Sequence, residues 1–441
     1  MNEYDSQVAL GLLKNDGFTA APSEDEADVV IMNTCSVREH AEERVYGRLG
    51  MLGKAKKQKP EMIVGLMGCM VEEHREKLFK RFPQLDFMVG TRNISELPSI
   101  IEDVQKHRKQ VSKIKQDGIS IEYSDLIERT HPFYAWLPIM TGCDKVCTYC
   151  IVPITRGKEV SMPAREVYRE ASRLVGEGVK WITLLGQNVN SYSSERMSKS
   201  SRTVPDAPVS GAMDDRINFP QLLEMLCEIE GLERISFTTS HPQDATEELF
   251  EVIAKNTKIS RRFHLPLQSG SDQMLKRMKR LHTFAEYKEK IDLMRRLIPN
   301  VSVTTDIIAG FSGETEEDHQ ATARALEEIR YDSAYIYKYS VRPATPAAKL
   351  PDDVSLETKK RRNHELLAIQ KQIEIENSRQ WLGRTIQVFV EEQSGKNPKN
   401  LLSRTDQDKR VVFEGGPELI GTFVAVELKD LRHETFIGTL L

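Results

Sequence analysis

Short apolar runs alternate with stretches of helical periodicity along the first hundred residues. A helix is predicted over residues 2–13, and later helices separate three buried strands, predicted at residues 28–32, 62–66 and 86–89. Strands that alternate with helices indicate a parallel α/β sheet. Such a domain normally opens with a strand, so either the first strand is dispensable or it lies upstream of the given Met1.

The same alternation returns in the middle of the chain, after a basic linker at residues 106–115. Helices separate six predicted strands, at residues 135–140, 181–185, 234–238, 262–265, 301–308 and 333–337. This pattern favours an open, partial (β/α)6 barrel with its chemistry at the carboxyl ends of the strands. Residues 193–216 are rich in Ser, Pro and Asp and are predicted to form a disordered surface insertion.

Short strands with turn residues between them replace this pattern over about the last sixty residues. Four are predicted, at residues 385–391, 409–413, 422–428 and 435–440. They indicate a small antiparallel β-barrel, and its balanced charge leaves open whether it binds RNA or only packs. The fold class is therefore α/β with three expected domains, at residues 1–106, 129–377 and 378–441.

Composition narrows the choice of partners and compartment. The 441 residues include 62 basic and 66 acidic side chains, so the formal charge of −4 excludes a global basic field and any nucleic-acid contact must be local. We find no signal peptide and no apolar run near the roughly 18 residues that a membrane span needs. We therefore expect a cytoplasmic protein without a membrane partner, in which clustered cysteines bind metal or catalyse a reaction.

Three of the six cysteines, Cys143, Cys147 and Cys150, stand within eight positions and have the spacing C-x3-C-x2-C. Three thiolates can hold three irons of a 4Fe-4S cluster and leave the fourth iron open for a substrate or cofactor. A zinc site completed from elsewhere in the chain, or a chance grouping, is the alternative, although no second pair of ligands follows this loop.

Two further cysteines, Cys35 and Cys69, each stand three residues after a predicted strand. Ligands of parallel sheets gather at the carboxyl ends of the strands, so we expect both thiols to face one crevice and bind a metal group. Each could instead be a buried small hydrophobic residue. Cys227 lies among apolar residues at helical spacing and is predicted to be such a core thiol.

The cysteine spacing, with Tyr149 just before the last cysteine, resembles that of radical S-adenosylmethionine (SAM) enzymes. The whole chain resembles their methylthiotransferase family. The resemblance is carried by the segments MNEYDS, NTCSVRE, GCM, GCDKVCTYCIVPITRG, LLGQNVNSY, FTTSHP, HLPLQSGS and DIIAGFSGET. Residues after NTC and GQN favour the branch that acts on isopentenyl-adenosine in tRNA over those that act on threonylcarbamoyl-adenosine or a ribosomal-protein aspartate. The C-terminal barrel is similar to the TRAM domain, an RNA-binding module.

The resemblance implies two 4Fe-4S clusters with SAM as cofactor. The cluster at Cys143, Cys147 and Cys150 would split SAM to a 5′-deoxyadenosyl radical, which takes hydrogen from carbon 2 of the adenine next to the anticodon. An auxiliary cluster at Cys35 and Cys69 would present a methylated sulfur. The family holds that cluster with a third cysteine, two residues before the position of Met1. We expect an upstream, in-frame strand that ends in it; without one, the rival is an Fe-S RNA-binding protein that has lost sulfur insertion.

The resemblance also implies tRNA as partner, an electron donor such as flavodoxin or ferredoxin, and a monomer. Expected cofactor contacts at the strand ends are Tyr149, Ser240, Gln268, Ser269, Asp306 and Gly310, the glycine because it permits close approach to a nucleoside. Expected substrate contacts are Gln187, Asn188 and Arg342, and the last could instead be an ordinary surface arginine. His241 is predicted to be a structural, hydrogen-bonded histidine.

Overall fold

The computed structural model describes residues 1–35, 39–114, 126–194 and 216–441. Most of the predicted insertion, residues 195–215, lies outside the described part. The described chain on either side of it comes close together, because the backbone N–H of Ser194 donates to the carbonyl oxygen of Ile217 at 3.0 Å.

The N-terminal domain contains a four-stranded parallel sheet in the order β1-β2-β3-β4, which confirms the predicted parallel α/β arrangement. Its elements are α1 (Asn2–Asn15), β1 (Val29–Thr34), α2 (Glu39–Gln58), β2 (Ile63–Gly68), α3 (Cys69–His74), α4 (Lys77–Arg81), β3 (Phe87–Val89), α5 (Leu97–His107) and β4 (Val111–Lys113). The apolar residues Val8 and Leu12 of α1 pack against a core that includes Phe87 and Val104.

Two predictions for this domain were wrong. Residues 106–115 are not only a linker, because β4 lies within them and pairs with β3. The helix expected at residues 71–81 is divided into α3 and α4 at Arg75, whose φ of 47° interrupts the helical backbone.

Six parallel strands form the central domain, as the alternation predicted. Its elements are β5 (Tyr134–Pro138), β6 (Met140–Thr141), α6 (Val152–Thr155), β7 (Val160–Ser161), α7 (Ala164–Gly176), β8 (Trp181–Leu185), α8 (Phe219–Cys227), β9 (Arg234–Phe237), α9 (Glu247–Lys255), β10 (Arg262–His264), α10 (Asp272–Arg277), α11 (Phe284–Leu297), β11 (Ser302–Ala309), α12 (Glu316–Ile329), β12 (Ser333–Lys338) and α13 (Leu356–Arg379).

The strands pair in the orders β5-β8-β9 and β10-β11-β12. Backbone hydrogen bonds join the two groups next to β10, since Ile235 N–H donates to the Lys258 carbonyl at 2.7 Å and Ser260 N–H to the Ile235 carbonyl at 2.8 Å. The short strands β6 and β7 form an antiparallel ribbon at the carboxyl end of β5. This ribbon, which was not predicted, carries the cysteine loop at residues 142–159.

The C-terminal domain is a closed five-stranded barrel in the order β13-β14-β15-β17-β16. Its strands are β13 (Thr385–Gln393), β14 (Asn400–Thr405), β15 (Arg410–Glu414), β16 (Phe423–Arg432) and β17 (Thr435–Leu440). The sequence pattern missed β14. It also predicted a purely antiparallel barrel, whereas β15 and β17 pair in parallel.

The C-terminal barrel packs on the central barrel at the amino ends of its strands. The rings of Phe389 and Trp181, the first residue of β8, meet edge to face at 5.8 Å. The Ser260 hydroxyl donates to the carbonyl oxygen of Asp406 at 2.7 Å, and Lys409 pairs with Asp332 at 3.3 Å. The carboxyl ends of the strands, where the cysteine loop begins, thus stay clear of this interface.

Candidate active site

The cysteine loop needs a glycine where it leaves β6. Gly142 has φ +77°, and a Cβ atom there would lie 1.9 Å from the carbonyl oxygen of Lys158. Its N–H donates to the side-chain oxygen of Gln187 at 2.5 Å, and the next N–H, of Cys143, donates to the Gly157 carbonyl at 3.1 Å. The two ends of the loop are therefore held together at the exit of β6.

Three other strand-end loops fix the middle of the cysteine loop. The Lys145 ammonium pairs with Asp244, which follows β9, at 2.7 Å. Thr148 N–H donates to the carbonyl oxygen of Met278 at 3.0 Å, while the Thr148 carbonyl accepts from Ala347 N–H at 2.8 Å. The positions of all three thiols thus depend on the barrel as a whole.

Replacing Gly142 by alanine is expected to remove most of the iron that the loop can bind. The residue would have to keep a left-handed backbone, which costs about 1–2 kcal/mol, and would also clash with the Lys158 carbonyl. Iron content after anaerobic reconstitution measures the effect. Gly176→Ala is the matched control because a Cβ there meets nothing within 4 Å; equal iron in both variants would contradict the prediction.

The three thiols of the loop are poorly suited to stand as free thiolates. Cys147 is buried, and Cys143 and Cys150 are half-buried. Burial, together with the neighbouring cysteine sulfurs, raises the pKa of Cys143 to about 11 and that of Cys150 to about 12. Three thiolates can gather here only when a bound cation compensates their charge.

The sulfur spacing favours a cluster over a single ion. In the described part of the chain, two groups of His, Asp, Glu or Cys side chains have ligand atoms that all lie within 4.8 Å of one another. The three loop cysteines do not form such a group, so their sulfurs are too widely spaced to bind one ion together. A cluster binds each thiolate through a different iron and so accepts a wider set. The donor set therefore fits an iron–sulfur cluster.

Cys35 and Cys69 lie side by side, as their positions in the sequence predicted. The last residues of β1 and β2, Thr34 and Gly68, are register partners, and each cysteine directly follows. Burial raises the pKa of Cys69, and the charge of Cys35 raises it further, which places the two sulfurs within electrostatic reach. Both thiols thus lie at the carboxyl edge of the N-terminal sheet.

Arg156 joins the two cysteine groups, and sequence reasoning missed it. It is buried at the end of the cysteine loop and pairs with Asp5 of α1 at 2.6 Å. Burial opposes its charge, but Asp5 and a hydrogen bond with Cys69 raise its pKa overall. Its place in the segment PITRG was the only signal in the sequence. Arg156 therefore holds the end of the cysteine loop against Cys69 and α1 of the N-terminal domain.

Unpartnered polar atoms lie just after the carboxyl end of β8. The buried Asn188 donates through Nδ2 to Asp244 at 2.7 Å, yet its Oδ1 has no partner among the described residues. Within the same part of the chain Asn190 Nδ2 is also unpartnered, while its Oδ1 accepts from the Ser240 hydroxyl at 3.1 Å. A polar ligand at this edge would satisfy both atoms.

The other expected cofactor contacts occupy the same rim, in varied roles. Gln268, with φ +76°, continues the sheet through its backbone: its N–H donates to the Asp306 carbonyl at 2.8 Å. The Ser269 hydroxyl lies 3.2 Å from that of Thr322 on α12. Tyr149 is half-buried and packs edge to face on Phe311 at 6.4 Å; burial raises its pKa well above the usual value.

The structure shows what surrounds two of the expected contacts, Gly310 and Arg342. The space that Gly310 saves belongs to another side chain, since a Cβ there would lie 2.4 Å from Cγ of Lys359 on α13, and its N–H donates to the Glu314 carboxylate. Arg342 is not a surface arginine: it is buried and pairs with Glu42 of α2 at 2.6 Å. Both cases reflect tertiary contacts that local sequence does not encode.

The expectations for His241 and Cys227 agree with the structure. His241 accepts the backbone N–H of Gln243 through Nδ1 at 3.2 Å. Burial, with Arg280 nearby, lowers the pKa of His241 to about 2, so this histidine is neutral. Cys227 is half-buried and packs against the core of the central barrel.

Comparison with known proteins identifies the fold. Residues 137–326 match the radical SAM superfamily, residues 1–90 match uncharacterized protein family UPF0004, and residues 379–441 match the TRAM domain. The radical SAM methyltransferase TsrM from Kitasatospora setae, solved with tryptophan and a SAM analogue, shares the fold with a TM-score of 0.53 and 13% identity, over 78% of this chain and 72% of that one. The chain is therefore a radical SAM protein, a class that uses an iron–sulfur cluster and SAM.

Relatives of similar length identify the family. The tRNA-2-methylthio-N6-dimethylallyladenosine synthase of Dictyoglomus thermophilum is 42% identical over 100% of this chain and 96% of its own length. The enzyme of the same name from Protochlamydia amoebophila is 40% identical, over 100% and 94%. The chain belongs to this family of methylthiotransferases, as the resemblance implied. In the described ranges, no helix has the length and apolar composition needed to cross a membrane.

Proposed function

We propose that this enzyme inserts a methylthio group at carbon 2 of the isopentenyl-modified adenosine next to the anticodon of tRNA. The observation that carries the proposal is the contact of Arg156, at the end of the cysteine loop, with Cys69 and Asp5 of the N-terminal domain, in a chain that matches the synthases over its whole length. The branches that act on threonylcarbamoyl-adenosine or a ribosomal protein are not favoured, since the relatives from Dictyoglomus thermophilum and Protochlamydia amoebophila carry the synthase name.

Cys143, Cys147 and Cys150 would hold the catalytic cluster. When bound, a cluster with an open iron and SAM supplies one-electron chemistry that can remove hydrogen from a carbon without an acidic proton, which side chains cannot do. The chain's own residues fix the loop through Gln187 and Lys145. The unpartnered atoms of Asn188 and Asn190 at the strand ends suit the polar groups of a nucleoside cofactor.

Cys35 and Cys69 would supply two thiolates to an auxiliary cluster, the source of the inserted sulfur. Their place beside Arg156, which ends the cysteine loop, suits this role, because a base bound between the two groups could be reached from both. Arg156, which contacts Cys69 and lies at the end of the cysteine loop, would fix the position of one cysteine group relative to the other. We further propose a monomer that receives electrons from a flavodoxin or ferredoxin.

The remaining site residues and the domain limits are part of the same proposal. Tyr149, Ser240, Gln268, Ser269, Asp306 and Gly310 would line or support the SAM site, and Gln187, Asn188 and Arg342 would support the substrate side. The domains would span residues 1–106, 129–377 and 378–441. The C-terminal barrel would bind tRNA with a modest salt dependence, because its balanced charge offers few phosphate contacts.

The proposal is tested with anaerobically reconstituted protein, SAM, a reductant and two tRNAs that differ only in the isopentenyl group. Mass spectrometry of the digested nucleosides should show methylthio-isopentenyl-adenosine from the modified tRNA and no methylthio product from the unmodified one. Cleavage of SAM without any methylthio product would instead favour the Fe-S RNA-binding protein that lacks sulfur insertion. A product on threonylcarbamoyl-adenosine would move the chain to the neighbouring branch.

A further inference from the structure

Arg280 differs from the other buried arginines in its electrostatic partners. Four of the five buried arginines in the described part lie within 4.0 Å of a carboxylate: Arg156, Arg234, Arg342 and Arg362, at 2.6, 3.7, 2.6 and 2.8 Å. For Arg280 no such ion pair exists among the described residues. Burying an unpaired charge is costly, so a counter-charge is expected beside this side chain.

The neighbours of Arg280 are a thiol and a carbonyl group. Its Nη1 donates to the sulfur of Cys147 at 3.5 Å, and Nη2 donates to the carbonyl oxygen of Pro266 at 2.7 Å. Its remaining donor, Nε, is buried and has no partner in the described part of the molecule.

We infer that Arg280 is a positioning residue whose counter-charge is the catalytic cluster, and that its hydrogen bond to Cys147 raises the reduction potential of that cluster. The inference rests on the proposed function only in taking the cysteine loop as a cluster site. A thiolate-ligated cluster is anionic and gains one electron from the reductant, with no bond made or broken. A buried cation beside one thiolate stabilises the more negative, reduced form.

The loop after α10, which contains Arg280, also contacts the cysteine loop through its backbone. Met278, two residues before Arg280, accepts the N–H of Thr148, and the Thr148 hydroxyl lies 3.2 Å from the carbonyl oxygen of Arg277. The same short segment thus grips the cysteine loop through its backbone and places one positive charge at Cys147. A lysine could keep the charge but not both hydrogen bonds of the planar guanidinium.

The test compares Arg280→Gln and Arg280→Lys in the full chain. Both are made in a Cys35→Ala, Cys69→Ala background, so that the cluster of the cysteine loop alone contributes to the signal. A redox titration followed by electron paramagnetic resonance gives the potential without tRNA or SAM. Arg280→Gln should have a more negative potential than the parent, with Arg280→Lys between the two. Arg296→Gln, which removes an exposed charge from α11, should leave the potential unchanged.

Each outcome decides. If Arg280→Gln binds the full amount of iron and has the same reduction potential as the parent protein, the inference is wrong. If Arg280→Gln binds no iron and Arg280→Lys binds the parent amount, the charge is needed to assemble the cluster, which supports it. If both variants lose iron while their circular dichroism stays native, a positive charge at this position is not enough to hold the cluster, and the inference of a counter-charge is wrong. A parent protein that forms no cluster would instead refute the proposed function.

Discussion

Cys147→Ala is expected to remove the catalytic cluster and to reduce SAM cleavage by more than about 100-fold. Mutating a residue that only supports a metal ligand typically costs about 10–100-fold in activity, and losing the ligand itself should cost more. Cys147 is the buried member of the trio and the one that Arg280 contacts. Its removal leaves two thiolates for three irons and an arginine without its counter-charge. Iron analysis and the yield of 5′-deoxyadenosine measure the two effects.

Cys227→Ala is the matched control for this experiment. Cys227 is a half-buried thiol that packs against the core away from the cysteine loop. The control separates the loss of a ligand from the loss of any cysteine, and it should keep both iron and cleavage. Unchanged iron and cleavage in Cys147→Ala would show that the loop is not the cluster site.

Hydrophobic periodicity was sufficient to predict most of the architecture. The strand predicted at residues 181–185 has the same limits as β8, and the other barrel strands agree within a few residues. The missed strands are informative. β4 has three residues next to a basic run, and β14 (NLLSRT) shows little apolar alternation. Both strands are fixed by their pairing with neighbouring strands rather than by their own composition.

The candidate site divides in the same way. Spacing and strand position were enough to pair Cys35 with Cys69 and to group the three loop cysteines. The roles of Gly310, Arg342 and Arg280 depend on residues from other elements, and no local motif signals these contacts. A buried arginine, in particular, looks like any other arginine in sequence until its partner is known.

The C-terminal barrel illustrates a limit of the period change as a domain signal. Its strands were expected to form an independent unit, yet Phe389 packs on Trp181, and Arg234 lies over the ring of Phe423 at 4.6 Å. Truncation near residue 378 would uncover these aromatic and charged groups on the central barrel. Substitutions on the exposed face of the barrel therefore separate RNA binding from stability better than deletion does.

Cys69→Ala is expected to uncouple the enzyme: SAM cleavage continues while methylthio-adenosine falls below detection. Cys69 is one of the two neighbouring thiols at the carboxyl edge of the N-terminal sheet. The backbone hydrogen bonds that hold the cysteine loop do not involve Cys69. Arg156 keeps Asp5 as its partner, so the contact between the cysteine loop and α1 should persist. Without Cys69, Cys35 alone cannot retain a cluster, and no sulfur is available for the substrate.

The two products are measured in one reaction, by quantifying 5′-deoxyadenosine and modified nucleoside from the same sample. Alanine is preferred to serine because a serine hydroxyl could still ligate iron. Cys227→Ala again provides the control, with both products retained. Full methylthiolation by Cys69→Ala would show that sulfur comes from elsewhere. A parallel loss of both products would show that the N-terminal thiols support the cleavage step itself, and that the two cysteine groups act as one centre rather than as two.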